Sequence, residues 1–163
     1  MLIDKSSFCG GNSTKATSGI NGAGTSSQRN LEIADTNDIF KADILRGGSK
    51  DVLLAETLAR NSSPGIEWLK DKFSLDLSLV SRLGGHSQPR THRGKAKFPG
   101  MTITYALLEA WEEICEREPL KAQLINHARG DKLITDAHDN VLGIEWVDLK
   151  TKKRHRESGA VVL

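Results

Sequence analysis

The chain has 163 residues, with 23 lysines and arginines against 21 acidic residues, and a net charge of +2 is too balanced to point to nucleic acid. Its 37% hydrophobic and 5% aromatic content supports one domain with a modest core of Leu, Ile, Val and Ala. No apolar run approaches the roughly 18–20 residues that span a bilayer, and Met1-Leu2-Ile3-Asp4-Lys5 reads as a strand rather than a secretory leader. Cys9 and Cys115 stand far apart without metal-ligand spacing, which predicts a reducing intracellular compartment and no metal site.

Taken in chain order, residues 1–4 form a candidate strand closing on Asp4, and 5–30 a Gly/Ser/Asn/Thr-rich loop with room for a helical turn. A helix is expected over 36–46, capped by Thr36 or Asn37 and ended by Gly47-Gly48. A second helix follows over about 50–60. A third starts at Ser62 or Ser63, with Pro64 in its first turn and Ile66, Trp68, Leu69 and Phe73 buried. Residues 80–100 read as a long loop, which is uncommon in a compact domain unless it serves a site. A fourth helix spans about 102–118 and puts Trp111 in the core. The rest reads as β structure over 122–127, 132–135, 141–148, 154–157 and 160–163, with turns at Asp139-Asn140 and Lys150–Lys152.

The residues with chemical potential cluster early. Gly10, Gly11 and Gly19 free the backbone to turn or approach a ligand closely, and Asn12, Ser13, Thr14, Thr17 and Ser18 supply small polar groups between them. Strand, acid, glycine-rich turn and helix is the order in which a dinucleotide fold meets ribose and pyrophosphate. Asp4 would then accept from two ribose hydroxyls, or else be a surface acid after a strand, and the 10–21 loop would wrap a pyrophosphate with backbone N–H groups, or else be a flexible Gly/Ser loop. The 84–93 loop gathers His86, Arg90, His92 and Arg93 beside Gly84-Gly85. Its arginines suit a carboxylate or phosphate, or alternatively tie the loop to the domain.

Four segments in order, Leu2-Ile3-Asp4-Lys5 with Gly10-Gly11-Asn12-Ser13 and Thr17-Ser18-Gly19-Ile20-Asn21, Ser63-Pro64-Gly65-Ile66-Glu67-Trp68-Leu69, Leu83-Gly84-Gly85-His86-Ser87 with Arg90-Thr91-His92-Arg93, and Leu142-Gly143-Ile144-Glu145-Trp146, resemble the soluble FAD-dependent fumarate reductase family. These flavoproteins are related to succinate dehydrogenase flavoprotein and L-aspartate oxidase. The resemblance implies an α/β fold: an incomplete Rossmann-like FAD-binding domain with a helical insertion and a C-terminal antiparallel β-hairpin region. Within a partial FAD-binding domain over 1–163, it implies a ribose, pyrophosphate and flavin segment at 1–30, a helical segment at 36–118 containing the 80–100 loop, and a β region at 122–163. The first glycine fingerprint and the capping domain are expected to lie outside the chain.

The same resemblance implies FAD as cofactor. Asp4 falls at the adenosine ribose, Gly11, Asn12 and Ser13 at the pyrophosphate, and Thr17, Ser18 and Gly19 under the flavin, with Lys5 and Gly10 counted among the cofactor-binding residues. Gly130 or Asp131 falls where a backbone group meets the adenine. It implies a fragment of an enzyme that reduces fumarate to succinate by hydride transfer, with a dicarboxylate substrate in the full-length parent and no membrane span. The compartment would be cytoplasmic or mitochondrial. No residue of this chain takes a catalytic role, and Arg90 and Arg93 are not promoted to one, so the isolated chain is expected to be inactive. The alternatives are a non-catalytic remnant or interaction module, and a flavoprotein acting on another α,β-unsaturated acid.

Overall fold

The computed structural model describes residues 1–95 and 98–163. In chain order the elements are β1 (Leu2–Ile3), a single 3-10 turn (Ser13–Lys15), β2 (Ile20–Asn21), α1 (Ser26–Asn30), α2 (Asn37–Arg46) and α3 (Val52–Phe73). There follow β3 (Leu79–Ser81), β4 (Thr91–Arg93), α4 (Pro99–Arg117), β5 (Leu124–Ile125), β6 (Ala128–Thr135), β7 (Val141–Asp148) and β8 (Arg154–Ser158). They fall into two compact units, Gly10–Leu107 and Met1–Cys9 with Leu108–Leu163.

In the Gly10–Leu107 unit, α2 begins where the Thr36 hydroxyl accepts from the Ile39 N–H, and α3 where the Asp51 carboxylate accepts from the Leu54 N–H. Each side chain satisfies a donor that the first helical turn leaves without a partner. α1 carries a full capping box between Thr25 and Gln28. Strands β2, β4 and β3 form an antiparallel sheet in that order. Its core gathers Ile66, Leu69, Leu75 and Leu77, with Ile20, Phe73, Ile103 and Leu107 packed against them. A second cluster joins Ala23, Phe40 and Ala59.

In the other unit, β1 pairs parallel with β5, in the register Leu2 to Leu124 and Ile3 to Ile125. Strands β6, β7 and β8 make an antiparallel meander whose register shifts between Gly130 and Lys132, a bulge that leaves Asp131 unpaired. Trp146 is buried on β7 and stacks on His155 of β8 with ring centroids 4.1 Å apart.

Several sequence expectations change. The second and third helices are one helix, α3, with Pro64 inside it. Proline removes one backbone donor and strains the preceding turn, but both halves of α3 are anchored. Ala55 and Ala59 are buried before Pro64, and Ile66 and Leu69 after it. The adjoining serines are anchored too: Ser62 Oγ accepts from the Ala23 N–H at 3.1 Å, and Ser63 Oγ donates to the Gly24 carbonyl at 3.0 Å.

Trp68 is not core. It is 53% exposed and meets Phe73 edge-on at 4.8 Å. The stretch expected as a loop over 80–100 contains the end of β3, all of β4 and the start of α4, while its residues 96 and 97 lie outside those described. Residues 160–163 form no strand, because no described strand pairs with them. The turns at Asp139-Asn140 and Lys150–Lys152 form as expected, with Asp139 and Lys152 in the left-handed region.

Candidate cofactor site

The 10–21 loop is folded on its own backbone. Gly10 leads into the 3-10 turn, which is closed by Lys15 N–H to the Asn12 carbonyl at 3.1 Å and Ala16 N–H to the Ser13 carbonyl at 3.3 Å. The Thr14 hydroxyl is buried and donates to the Gly11 carbonyl at 3.0 Å. At the start of α4, the Gly100 N–H donates to the Ala16 carbonyl at 3.0 Å, and a Cβ on Gly100 would lie 2.2 Å from the Ser13 carbonyl oxygen. The loop therefore sits directly on that helical turn.

Gly19 closes the loop. Its φ is +128°, and a Cβ there would lie 2.2 Å from the His92 carbonyl oxygen, so no other residue fits without moving the strand behind it. By contrast Asn12, Ser13, Thr17 and Ser18 are exposed, and their side chains are hydrogen-bonded to no other described residue. Gly19 thus packs tightly on the buried strand β4, while the row of exposed polar groups fits a phosphate-bearing ligand held by backbone and short side chains.

Behind the loop lies a buried polar network that sequence reasoning missed. Arg90, open in the sequence to a ligand grip or to a tie between the loop and the domain, is 0% exposed and takes the second role. Its Nε and one terminal nitrogen donate to the Asp35 carboxylate at 3.0 and 2.9 Å, and that same nitrogen reaches Asp43 at 2.9 Å. The guanidinium also lies 4.5 Å above the Phe40 ring. Gln28 donates to Asp35 at 3.0 Å and to the Pro89 carbonyl at 2.8 Å. Burial opposes ionisation of Asp43, but the Ser87 N–H and hydroxyl, then Arg90 and Arg46, outweigh it and hold the carboxyl at about 2. The Thr25-x-x-Gln28 spacing was the one local signal of this network. Asp35 and Asp43 carry none.

His92 is also internal. Its Nδ1 lies 2.8 Å from the Arg90 carbonyl and must donate to it, which leaves Nε2 to accept from the Thr25 hydroxyl at 2.7 Å. Burial pushes its pKa below the ordinary value, so the ring is neutral, with both nitrogens engaged. His86 is likewise pushed down by burial and then by Arg90.

In the other unit, Asp4 follows β1 and is half-buried, and its Oδ1 accepts from the Ser6 N–H at 2.8 Å. Lys5 beside it is exposed. The backbone around Asp4 is fixed from both sides, by Asp4 N–H to the Ile125 carbonyl at 3.0 Å and Ala128 N–H to the Asp4 carbonyl at 2.8 Å. A cleft of about 870 Å3 is lined by Ile3, Asp4, Lys5, Arg129, Gly130 and Ile144 among others. A Cβ on Gly130 would approach Ile144 Cδ1 to 2.9 Å. Of the expected site residues, Asp4 and Lys5 share this cleft, while Gly10, Gly11, Asn12, Ser13, Thr17, Ser18 and Gly19 share the loop. Among the described residues no group of three or more His, Cys, Asp and Glu side chains is arranged to hold a metal, and no helix is long and apolar enough to cross a membrane.

A parallel strand pair closing on an acid, a glycine cradle and a helical insertion define an α/β nucleotide-cofactor domain. The family of the FAD binding domain matches residues 1–163, and the chain belongs to that family, whose cofactor is FAD. It is 39% identical over 167 residues to a fumarate reductase of Schizosaccharomyces pombe, covering 100% of this chain and 33% of the relative. Fumarate reductase 1 of Saccharomyces cerevisiae is 40% identical over 144 residues, covering 85% and 29% respectively. Among solved structures, the open conformation of a flavocytochrome c3 fumarate reductase superposes with a TM-score of 0.86 at 28% identity, over 97% of this chain and 27% of that one. The chain thus spans about a third of the length of the curated relatives it matches.

Proposed function

We propose that this chain is the FAD-holding part of a flavin-dependent oxidoreductase that reduces fumarate to succinate. The observation that carries the reading is the coincidence of a whole-chain match to a fumarate reductase with a loop whose Gly19 geometry admits no side chain. Asp4 takes the adenosine ribose hydroxyls, with its carboxylate steadied by the Ser6 N–H, and Lys5 lies beside it. Gly10, Gly11, Asn12 and Ser13 hold the pyrophosphate, and Thr17, Ser18 and Gly19 lie against the flavin. Once bound and reduced by an electron donor, FAD would supply the hydride that adds to the activated C=C bond.

Residues of this chain bind and orient, and none is given a proton-transfer role. Arg90 is fully buried, with Nε and one terminal nitrogen held by Asp35 and Asp43, which leaves it unfit to deliver a proton to a substrate. The dicarboxylate is bound by the remainder of the enzyme. The two free cysteines, Cys9 and Cys115, suit a reducing compartment, cytoplasmic or mitochondrial. The test is to express the complete reading frame that contains this chain and follow oxidation of a reduced dye by fumarate and by other α,β-unsaturated acids. Turnover with fumarate above the others is expected. Bound FAD with no turnover of fumarate contradicts the substrate assignment.

A further inference from the structure

Strand β8 is an outer edge of the β6–β7–β8 meander. Its ladder to β7 is fixed at both ends, by Asp148 N–H to the Lys153 carbonyl at 3.0 Å and Gly159 N–H to the Leu142 carbonyl at 2.8 Å. Between them Trp146 stands opposite His155 and Ile144 opposite Glu157. Antiparallel pairing alternates, so His155 and Glu157 spend their backbone groups on β7, while Arg154, Arg156 and Ser158 turn theirs outward. Among the described residues no strand pairs with that outer side.

The side chains along this edge are cationic. Arg129, Val147 and Arg154 stand in one cross-strand row, and Lys132, Glu145 and Arg156 in the next. The bulge at Asp131 brings Arg129 and Lys132, an odd number of positions apart, onto one face. Arg154 and Arg156 are 72% and 69% exposed, and their acids are loose partners, Asp131 at 3.6 Å and Glu145 at 3.4 Å. Lys150, Lys152 and Lys153 precede them, so residues 150–156 carry cations and no carboxylate. Such an edge keeps a second copy of the same strand away. It does not repel a strand of opposite sign, because carboxylates set opposite Arg154 and Arg156 turn cross-strand repulsion into attraction.

We infer that the β8 edge is a docking site for an extended acidic protein segment, which adds a fourth strand to the meander. The outward backbone groups of Arg154, Arg156 and Ser158 supply the main-chain hydrogen bonds. Arg154 and Arg156 pair with Asp or Glu at alternate positions of the incoming strand, and Lys150 and Lys153 extend the positive field at its end. On the opposite face, the residue between two acids lies beside half-buried His155, whose ring stacks on Trp146, so a β-branched side chain suits that place. The whole edge lies within one compact unit, and its role is independent of the cofactor.

The test takes the complete reading frame that contains this chain and follows the fluorescence anisotropy of a labelled peptide of alternating valine and glutamate, about eight residues long to match β8. Saturable binding below about 1 mM is expected, weakening as salt rises. Arg154→Glu combined with Arg156→Glu should weaken it about 5- to 30-fold. If that double reversal disturbs the fold, Arg154→Gln with Arg156→Gln decides, with an expected loss of about 2- to 5-fold. An isomeric peptide with its valines and glutamates in two blocks has the same charge but the wrong alternation, and should bind several-fold more weakly. No saturable binding of the alternating peptide overturns the inference, as does a wild-type constant in the folded double variant. Equal binding of the block peptide overturns it too, by showing charge attraction without strand pairing.

Discussion

Arg90 and Asp35 meet through two hydrogen bonds of 3.0 and 2.9 Å, with both side chains 0% exposed. The pair joins the stretch before β4 to the stretch before α2, with Asp43 as second acceptor and Phe40 beneath the guanidinium. Removing one member strands the other charge in the interior. Arg90→Ala or Asp35→Ala should therefore cost about 3–5 kcal/mol, read as a lower midpoint in urea unfolding. Arg90→Lys should recover little of that, because an ammonium cannot reproduce the fork. A wild-type midpoint for Arg90→Ala would show that the pair is dispensable.

Asp43 makes stability depend on acid. Its carboxyl is held at about 2, against an ordinary value of 3.8, by the Ser87 N–H and hydroxyl and by Arg90 and Arg46, with burial working the other way. A group whose pKa is lower folded than unfolded stabilises the fold fully above the unfolded value, and that stabilisation is lost as pH falls through the folded one. Stability should decline between about pH 4 and pH 2. Ser87→Ala, which removes the hydroxyl donor, should reduce the stability difference between pH 5 and pH 2.5 in denaturant titrations. An unchanged difference in that variant would place the acid sensitivity elsewhere.

Two glycines should respond in opposite senses to alanine. At Gly19 the added Cβ meets the His92 carbonyl oxygen at 2.2 Å and the φ of +128° is strained. Gly19→Ala should lower stability by roughly 1–3 kcal/mol and abolish FAD uptake. Gly65 lies inside α3 with nothing within 4 Å of the added carbon. Gly65→Ala should raise stability by about 0.5–1 kcal/mol, seen as a higher thermal midpoint with unchanged FAD binding.

What the sequence made legible was local. Thr36 before an apolar stripe marked α2, and the glycines around Asn12 and Ser13 marked a tight turn, because caps and left-handed turns are written in adjacent residues. Pro64 misled, since the contacts that hold α3 straight come from Ala23 and Gly24, about 40 positions away in the chain. The 84–93 loop left two readings open, a ligand grip or a tie to the domain, and Arg90 takes the second by pairing with Asp35 and Asp43, neither of which has a spacing that announces the pairing. Trp68 fits a helical stripe, but the stripe of α3 is wider than the core it faces, so the ring remains half outside.

The exposed polar row should matter for ligand and not for folding. Asn12→Ala with Ser13→Ala should leave the thermal midpoint within about 2–4 °C, since neither side chain bonds another described residue and such surface changes fall within about ±0.5 kcal/mol each. FAD affinity should fall several-fold. Equal affinity would remove these two residues from the site.

The most direct measurement is a titration with FAD of the complete reading frame that contains this chain, followed by flavin fluorescence, for wild type, Asp4→Ala and Gly19→Ala. The account predicts saturable binding by wild type, about tenfold or more weaker for Asp4→Ala through loss of charged hydrogen bonds to the ribose, and none for Gly19→Ala. Saturation by all three with one constant would contradict the assignment of Asp4 and the 10–19 cradle to the cofactor.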